Sequence, residues 1–224
     1  MTIKVINLNK LLRLCALAEN KLIGELRDDL RKERDKLRGK KKKGGGHFHY
    51  PWWDAAKDHA LGLCDLTEQT KLLVEASDQR HRLYPLLTEA YLRWLEYTRR
   101  STNQALSWSE EQVHTHYAVP GMELTVKVDN LLALKLGEDH HRLIYPYFCE
   151  EPILSERWAR VGLWLMKDAL SKYDPVDMEI LDVLRARSFS GGSVFLKGDE
   201  QAIFARRYRE IVKMWQELRP EYGL

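Results

Sequence analysis

Residues 123–148 constrain the fold most: ELTVKVDNLLAL, a polar GEDHH turn, then RLIYPYF. Apolar and polar residues alternate with a period of two, the repeat of a half-buried strand rather than a helix. Leu124, Val126 and Val128 therefore point one way and Thr125, Lys127 and Asp129 the other, so one face carries a polar row ending in a carboxylate. In the second arm Leu143, Tyr145 and Tyr147 alternate with Ile144, Pro146 and Phe148. The stretch reads as a hairpin at the centre of a sheet.

Helical periodicity surrounds it. Over residues 7–38 Leu8, Leu12, Cys15, Leu22, Leu26 and Leu30 recur at threes and fours, with Asn7 placed to cap the helix. The apolar stripe thins after Leu30, so the helix is expected to project into solvent before KKKKGGG ends it. Residues 27–43 hold ten Lys/Arg against four Asp/Glu, a local +6; the whole chain is +3, leaving −3 elsewhere. Such a chain lacks the broad basic face of a dedicated DNA binder. Lys40, Lys41, Lys42 and Lys43 are candidates for phosphate contact, against the plainer reading of a solvated loop tip.

Further along, His47 and His49 form an H-x-H pair without further ligands at a recognised metal spacing, and Trp52 and Trp53 read as core anchors. Pro51 opens one helix and residues 86–100 form another. Strands are expected over residues 112–119 and 123–134, with a turn at Pro120-Gly121. Ser155 caps an apolar helix, and residues 177–189 read as one further strand, reached by a parallel crossover. Asp199 caps a last helix striped by Ile203, Phe204, Tyr208, Ile211, Val212, Trp215 and Leu218. Arg185 and Arg187 lie in RARSFSGGS, a composition able to cradle a phosphate but without P-loop spacing.

The expected architecture is mixed α/β (α+β): a small mixed sheet of about four strands flanked by helices. Residues 1–46 read as a helical extension with a basic Lys/Gly loop, and 47–224 as the α/β core domain. Three cysteines, odd in number and far apart, fit packed thiols better than disulfides or a zinc site. No apolar run approaches the roughly 20 residues of a membrane span, and the N-terminus lacks the apolar centre of a signal peptide. A cytoplasmic location without membrane contact is expected.

The order of helix, three strands, helix, strand and helix, with Asp129 closing the second strand and Glu110 or Glu111 upstream, resembles the PD-(D/E)XK nuclease superfamily over about residues 110–187. The resemblance implies a Mg²⁺ held by Asp129 and Glu111, and a lysine beside it to position water. This sequence departs from that pattern. Aligning LIYPYF with the superfamily's hydrophobic-D-Y-K strand puts Pro146 at the second carboxylate and Phe148 at the lysine, while Arg160 and Trp164 fall at the Gln and Tyr of the next helix. Proline ligates no metal through its side chain, and phenylalanine carries no charge. The resemblance therefore implies a non-catalytic module that binds a protein partner or nucleic acid, without cofactor. One alternative is an active Mg²⁺-dependent DNA or RNA nuclease using Asp129, Glu111 and a migrated Lys127 or Lys135, with Glu150 or Glu151 as replacement acids. The other is a structural scaffold unrelated to nucleic acid.

Overall fold

The computed structural model describes residues 3–40, 48–101, 106–108, 113–136 and 140–224. The chain is mixed α/β. In order it forms β1 (Val5–Asn7), α1 (Leu8–Ala16), α2 (Glu19–Leu37), α3 (Tyr50–Ala60), α4 (Leu66–Glu75), α5 (Leu83–Arg100) and β2 (Leu106–Trp108). Then come β3 (Thr115–Ala118), β4 (Thr125–Val128), β5 (Leu132–Leu136), β6 (His140–Tyr147), α6 (Glu156–Ala169), β7 (Met178–Asp182), β8 (Arg187–Ser190) and α7 (Glu200–Leu218).

The strands form two sheets rather than one. The smaller has the order β1-β4-β3, with β1 parallel to β4; the larger has the order β2-β5-β6-β7-β8, with β6 and β7 its parallel pair. The division falls inside the stretch expected to be a single arm. Asn130 adopts φ +61°, a left-handed conformation that asparagine tolerates better than most residues. Its carbonyl accepts from Trp53 Nε1 at 2.8 Å and its side-chain oxygen from Lys57 at 3.0 Å, so α3 clamps the corner. The chain consequently leaves the small sheet after β4 and enters the large one as β5. The hairpin itself is β5–β6, in the register Leu132↔Ile144.

The two apolar faces of the large sheet feed separate cores. Leu143, Tyr145 and Tyr147 of β6 pack with Leu8, Leu12, Leu22, Leu26 and the apolar faces of α6 and α7. Ile144 and Phe148, with Leu132 and Leu181, pack instead against Trp52, Trp53, Tyr84 and Tyr91 of α3 and α5. Covered on both sides, β7 is buried along its whole length, as a strand in a parallel pair requires. Residues 8–30 are thus part of the first core, whereas beyond Leu30 the α2 surface is largely exposed and Leu37 stands in solvent. Among the described residues no helix is long and apolar enough to cross a membrane.

Several local expectations change. The long N-terminal helix is broken at Leu17–Ala18 into α1 and α2, and β1 precedes it. The strand expected over residues 177–189 is a hairpin, β7–β8, because the chain makes a 3₁₀ turn at Val183–Arg185 and Ala186 takes φ +50°. Gly191, in the segment that reads as a phosphate cradle, serves packing. An added Cβ there would lie 1.9 Å from the Pro175 carbonyl oxygen, and that backbone has little room to move. Gly191→Ala is expected to lower stability by about 1–3 kcal/mol, the range for overpacking, read as a lowered midpoint in urea unfolding without loss of cooperativity.

Candidate binding cleft at the strand ends

The carboxyl ends of β1, β4 and β6 meet the N-terminus of α1 around a cleft of about 410 Å³. Asn7 joins these elements. As the last residue of β1 and the N-cap of α1, it accepts from the Asn9 backbone N–H at 3.0 Å. The same side-chain oxygen accepts from the Tyr145 hydroxyl at 2.7 Å, and Nδ2 donates to Asp129 Oδ1 at 2.6 Å. Tyr145 OH in turn accepts from the Asn9 N–H at 2.9 Å. Burial raises the Tyr145 phenol well above its ordinary pKa, so it stays protonated and donates.

The opposite wall comes from the start of α3. His49 stacks on Phe148 with ring centroids 4.7 Å apart and planes 11° from parallel. Burial pulls its imidazole down to about 4, against a smaller opposing effect of Glu150. Tyr50 lines the cleft beside it, with its phenol raised by burial and then by the charges of Asp129 and Asp54. At the back Cys149 donates to Asn9 Oδ1 at 3.5 Å, and burial pushes its thiol up to about 11, which leaves little thiolate at neutral pH.

Two cations line the cleft and both are matched from α2: Lys10 pairs with buried Asp29, and Arg13 with Glu25 at 2.5 Å. Asp129 is the one carboxylate among the described lining residues; β6 contributes Tyr145 and Pro146, and Phe148 follows just past its end. The described lining offers a Mg²⁺ ion one carboxylate, Asp129, and among the described residues no group of three His, Cys, Asp or Glu is placed to hold a metal. The cleft is lined instead by the amides of Asn7, Asn9 and Asn130 and the hydroxyls of Tyr50 and Tyr145; Asn7 and Tyr145 are engaged with one another, Asn9 and Asp129, which leaves the Asn9 and Asn130 amide N–H groups to meet a polar ligand.

Comparison with protein-family models, curated proteins and solved structures finds no match.

The remaining sequence candidates are dispersed. Lys127 lies in β4 across from Asn7 and His116 and does not line the cleft. Lys135 sits opposite His141, toward the turn of the β5–β6 hairpin. Glu150 forms two 2.6 Å bonds with Arg82, and Glu151 pairs with Lys21. Arg185 is used internally: it donates to the Cys149 carbonyl at 2.8 Å and the Glu150 carbonyl at 2.5 Å, and pairs with buried Asp182. Arg187 is exposed and stacks its guanidinium over Phe189 at 4.5 Å. Lys40 is exposed, with Asp35 at 3.8 Å. Glu110, Glu111, Lys41, Lys42 and Lys43 lie outside the described residues.

Sequence reasoning overlooked Asn9, Lys10, Arg13 and Tyr50 as cleft residues and knew Asn7 only as a cap. The cap signal was the one local clue. Nothing in the residues around Asn7 indicates that Asp129, 122 positions away, receives its other hydrogen bond.

Proposed function

We propose that this protein is a non-catalytic, nuclease-like module that binds single-stranded nucleic acid. The carrying observation is the cleft lining, with Asp129 as its single described carboxylate, Pro146 on the strand beside it and Phe148 just past that strand's end. Such a lining supports recognition rather than metal-assisted hydrolysis, which needs a second hard anionic ligand and a nearby cation to activate water. The asparagine amides that line the cleft suit the edges of an unstacked base, the usual target of sequence-dependent single-strand recognition. The exposed cations at the end of α2, Lys36, Arg38 and Lys40, continue in sequence into Lys41, Lys42 and Lys43 and supply phosphate contacts.

The test has two arms. Purified protein is expected to leave plasmid and single-stranded oligonucleotides uncut with Mg²⁺ or Mn²⁺; metal-dependent cutting lost in Asp129→Ala would overturn the non-catalytic reading. In the second arm, oligonucleotide affinity falls as salt rises. Replacing Lys40, Lys41, Lys42 and Lys43 together by alanine weakens binding and flattens the salt slope by about 0.7 for each phosphate contact removed. An unchanged slope and affinity would remove nucleic acid as the ligand.

A further inference from the structure

A second concavity, separate from the strand-end cleft, runs along α7. It has a volume of about 810 Å³ and lies between α7, the turn joining β3 to β4, and the residues leading into β1. Its helical wall extends from Ala205 to Arg219, and 14 residues of helix span about 21 Å. Compact ligand pockets hold about 300–1,000 Å³, but this volume is drawn out along four helical turns. It is a trough suited to an elongated partner.

The chemistry of the trough is divided lengthwise. Ile3, Met122, Tyr208, Val212 and Trp215 make an apolar floor. Trp215 is 3% exposed, and Tyr208 is held in place by its hydroxyl, which donates to the Ile3 carbonyl at 3.2 Å. Four cations, Lys4, Arg209, Lys213 and Arg219, border this floor with one carboxylate, Glu123. Lys4 pairs with Glu123, while Lys213 and Arg219 have only loose partners, Glu217 and Glu33, each at 3.8 Å. Arg209 is exposed and has no ion pair among the described residues. Counting Glu217 and Glu33 with Glu123, four cations meet three carboxylates, which leaves one uncompensated positive charge, at Arg209, and two loosely paired ones beside an apolar strip.

From this complementarity we propose that the trough docks an acidic amphipathic helix of a protein partner. Its apolar side chains, at helical spacings of three and four, lie on Met122, Val212 and Trp215, and its flanking carboxylates face Arg209, Lys213 and Arg219. Helix-in-groove recognition uses this division: apolar anchors supply affinity, and charge at the rim sets orientation and partner choice. The inference is independent of the nucleic-acid reading, since the two concavities share no lining residue.

The probe is a fluorescein-labelled 15-residue helical peptide with leucines along one stripe and glutamates on its flanks, followed by anisotropy on the full chain. It is expected to bind more tightly than a peptide of the same composition with the leucines scattered. The double variant Arg209→Glu/Lys213→Glu, at exposed positions, weakens binding by about tenfold or more and gains affinity for the same peptide with lysines in place of glutamates. Val212→Asp weakens both peptides, and circular dichroism and thermal melting verify that each variant is folded. Equal binding of the scattered peptide, or no reciprocal gain on charge reversal, overturns the proposal. So does an oligonucleotide that displaces the peptide and loses affinity in the double variant, or a concentration-dependent dimer abolished by Val212→Asp, which would assign the trough to nucleic acid or to a second copy.

Discussion

Glu179→Ala is expected to lower the free energy of unfolding by about 3–5 kcal/mol, the range for breaking a buried ion pair from one side. Glu179 is 1% exposed in the middle of the large sheet. Its Oε2 accepts from Arg142 Nε at 2.7 Å and pairs with the same guanidinium at 2.5 Å through Nη2. Its Oε1 accepts from Trp94 Nε1 at 3.2 Å and from the Ser188 hydroxyl. One carboxylate thereby ties β6, β7, β8 and α5 together. Alanine leaves a cavity and strands the Arg142 guanidinium, whose side chain is 24% exposed, without its partner. Glu179→Gln keeps hydrogen-bonding oxygen but loses the charge, so its cost falls between wild type and alanine. Urea unfolding of the three proteins at neutral pH measures this order. A loss below about 1 kcal/mol in the alanine variant would show that the site behaves like a solvated surface pair.

The second large effect is pH dependence centred on His49. Its imidazole is half-buried against Phe148, its buried Nδ1 has no hydrogen-bond partner among the described residues, and desolvation lowers its pKa from 6.5 to about 4. With the folded-state value below the unfolded one, the unfolded chain takes up a proton first as pH falls. The contribution to stability is therefore complete above about pH 6.5 and is lost progressively between 6.5 and 4. A shift of this size corresponds to about 3 kcal/mol. Carboxylates titrate at the acid end of the same window, so the measurement is a difference: His49→Gln should flatten the curve of stability against pH by that amount. Coincident curves for wild type and variant would mean that His49 is solvated in the folded protein.

The parts legible in the sequence are those decided by neighbours within a few residues. Asn7 and Ser155 cap helices as their positions indicate, since the cap bond closes within three residues, whereas Asp199 makes no side-chain cap bond and Glu200 instead accepts from the Lys197 and Gly198 N–H groups. Leu143, Tyr145 and Tyr147 face one core and Ile144 and Phe148 the other, as period-two alternation requires. The α7 stripe is buried at Phe204, Tyr208, Ile211, Trp215 and Leu218, while Ile203 and Val212 are half-buried. Corners were harder to read. Asn130 and Ala186 are not glycine, and their positive φ values are supported by what surrounds them; at Asn130 these are Trp53 and Lys57, more than 70 positions away. Without those partners, VKVDNLLAL reads as one strand and EILDVLRARSF as another.

By itself the sequence determined helix and strand character, the inward faces, the caps at Asn7 and Ser155 and the local excess of positive charge, because periodicity, propensity and charge act over a few residues. Tertiary structure decided which strands share a sheet, that Asn7 of β1 meets Asp129 after β4, and that a helix at the far end of the chain borders a basic trough. Those outcomes depend on contacts distant in sequence, more than a hundred residues apart for β1 with β4 and for Asn7 with Asp129. Sheet pairing and core packing select such contacts, and the residues on either side carry no local record of them.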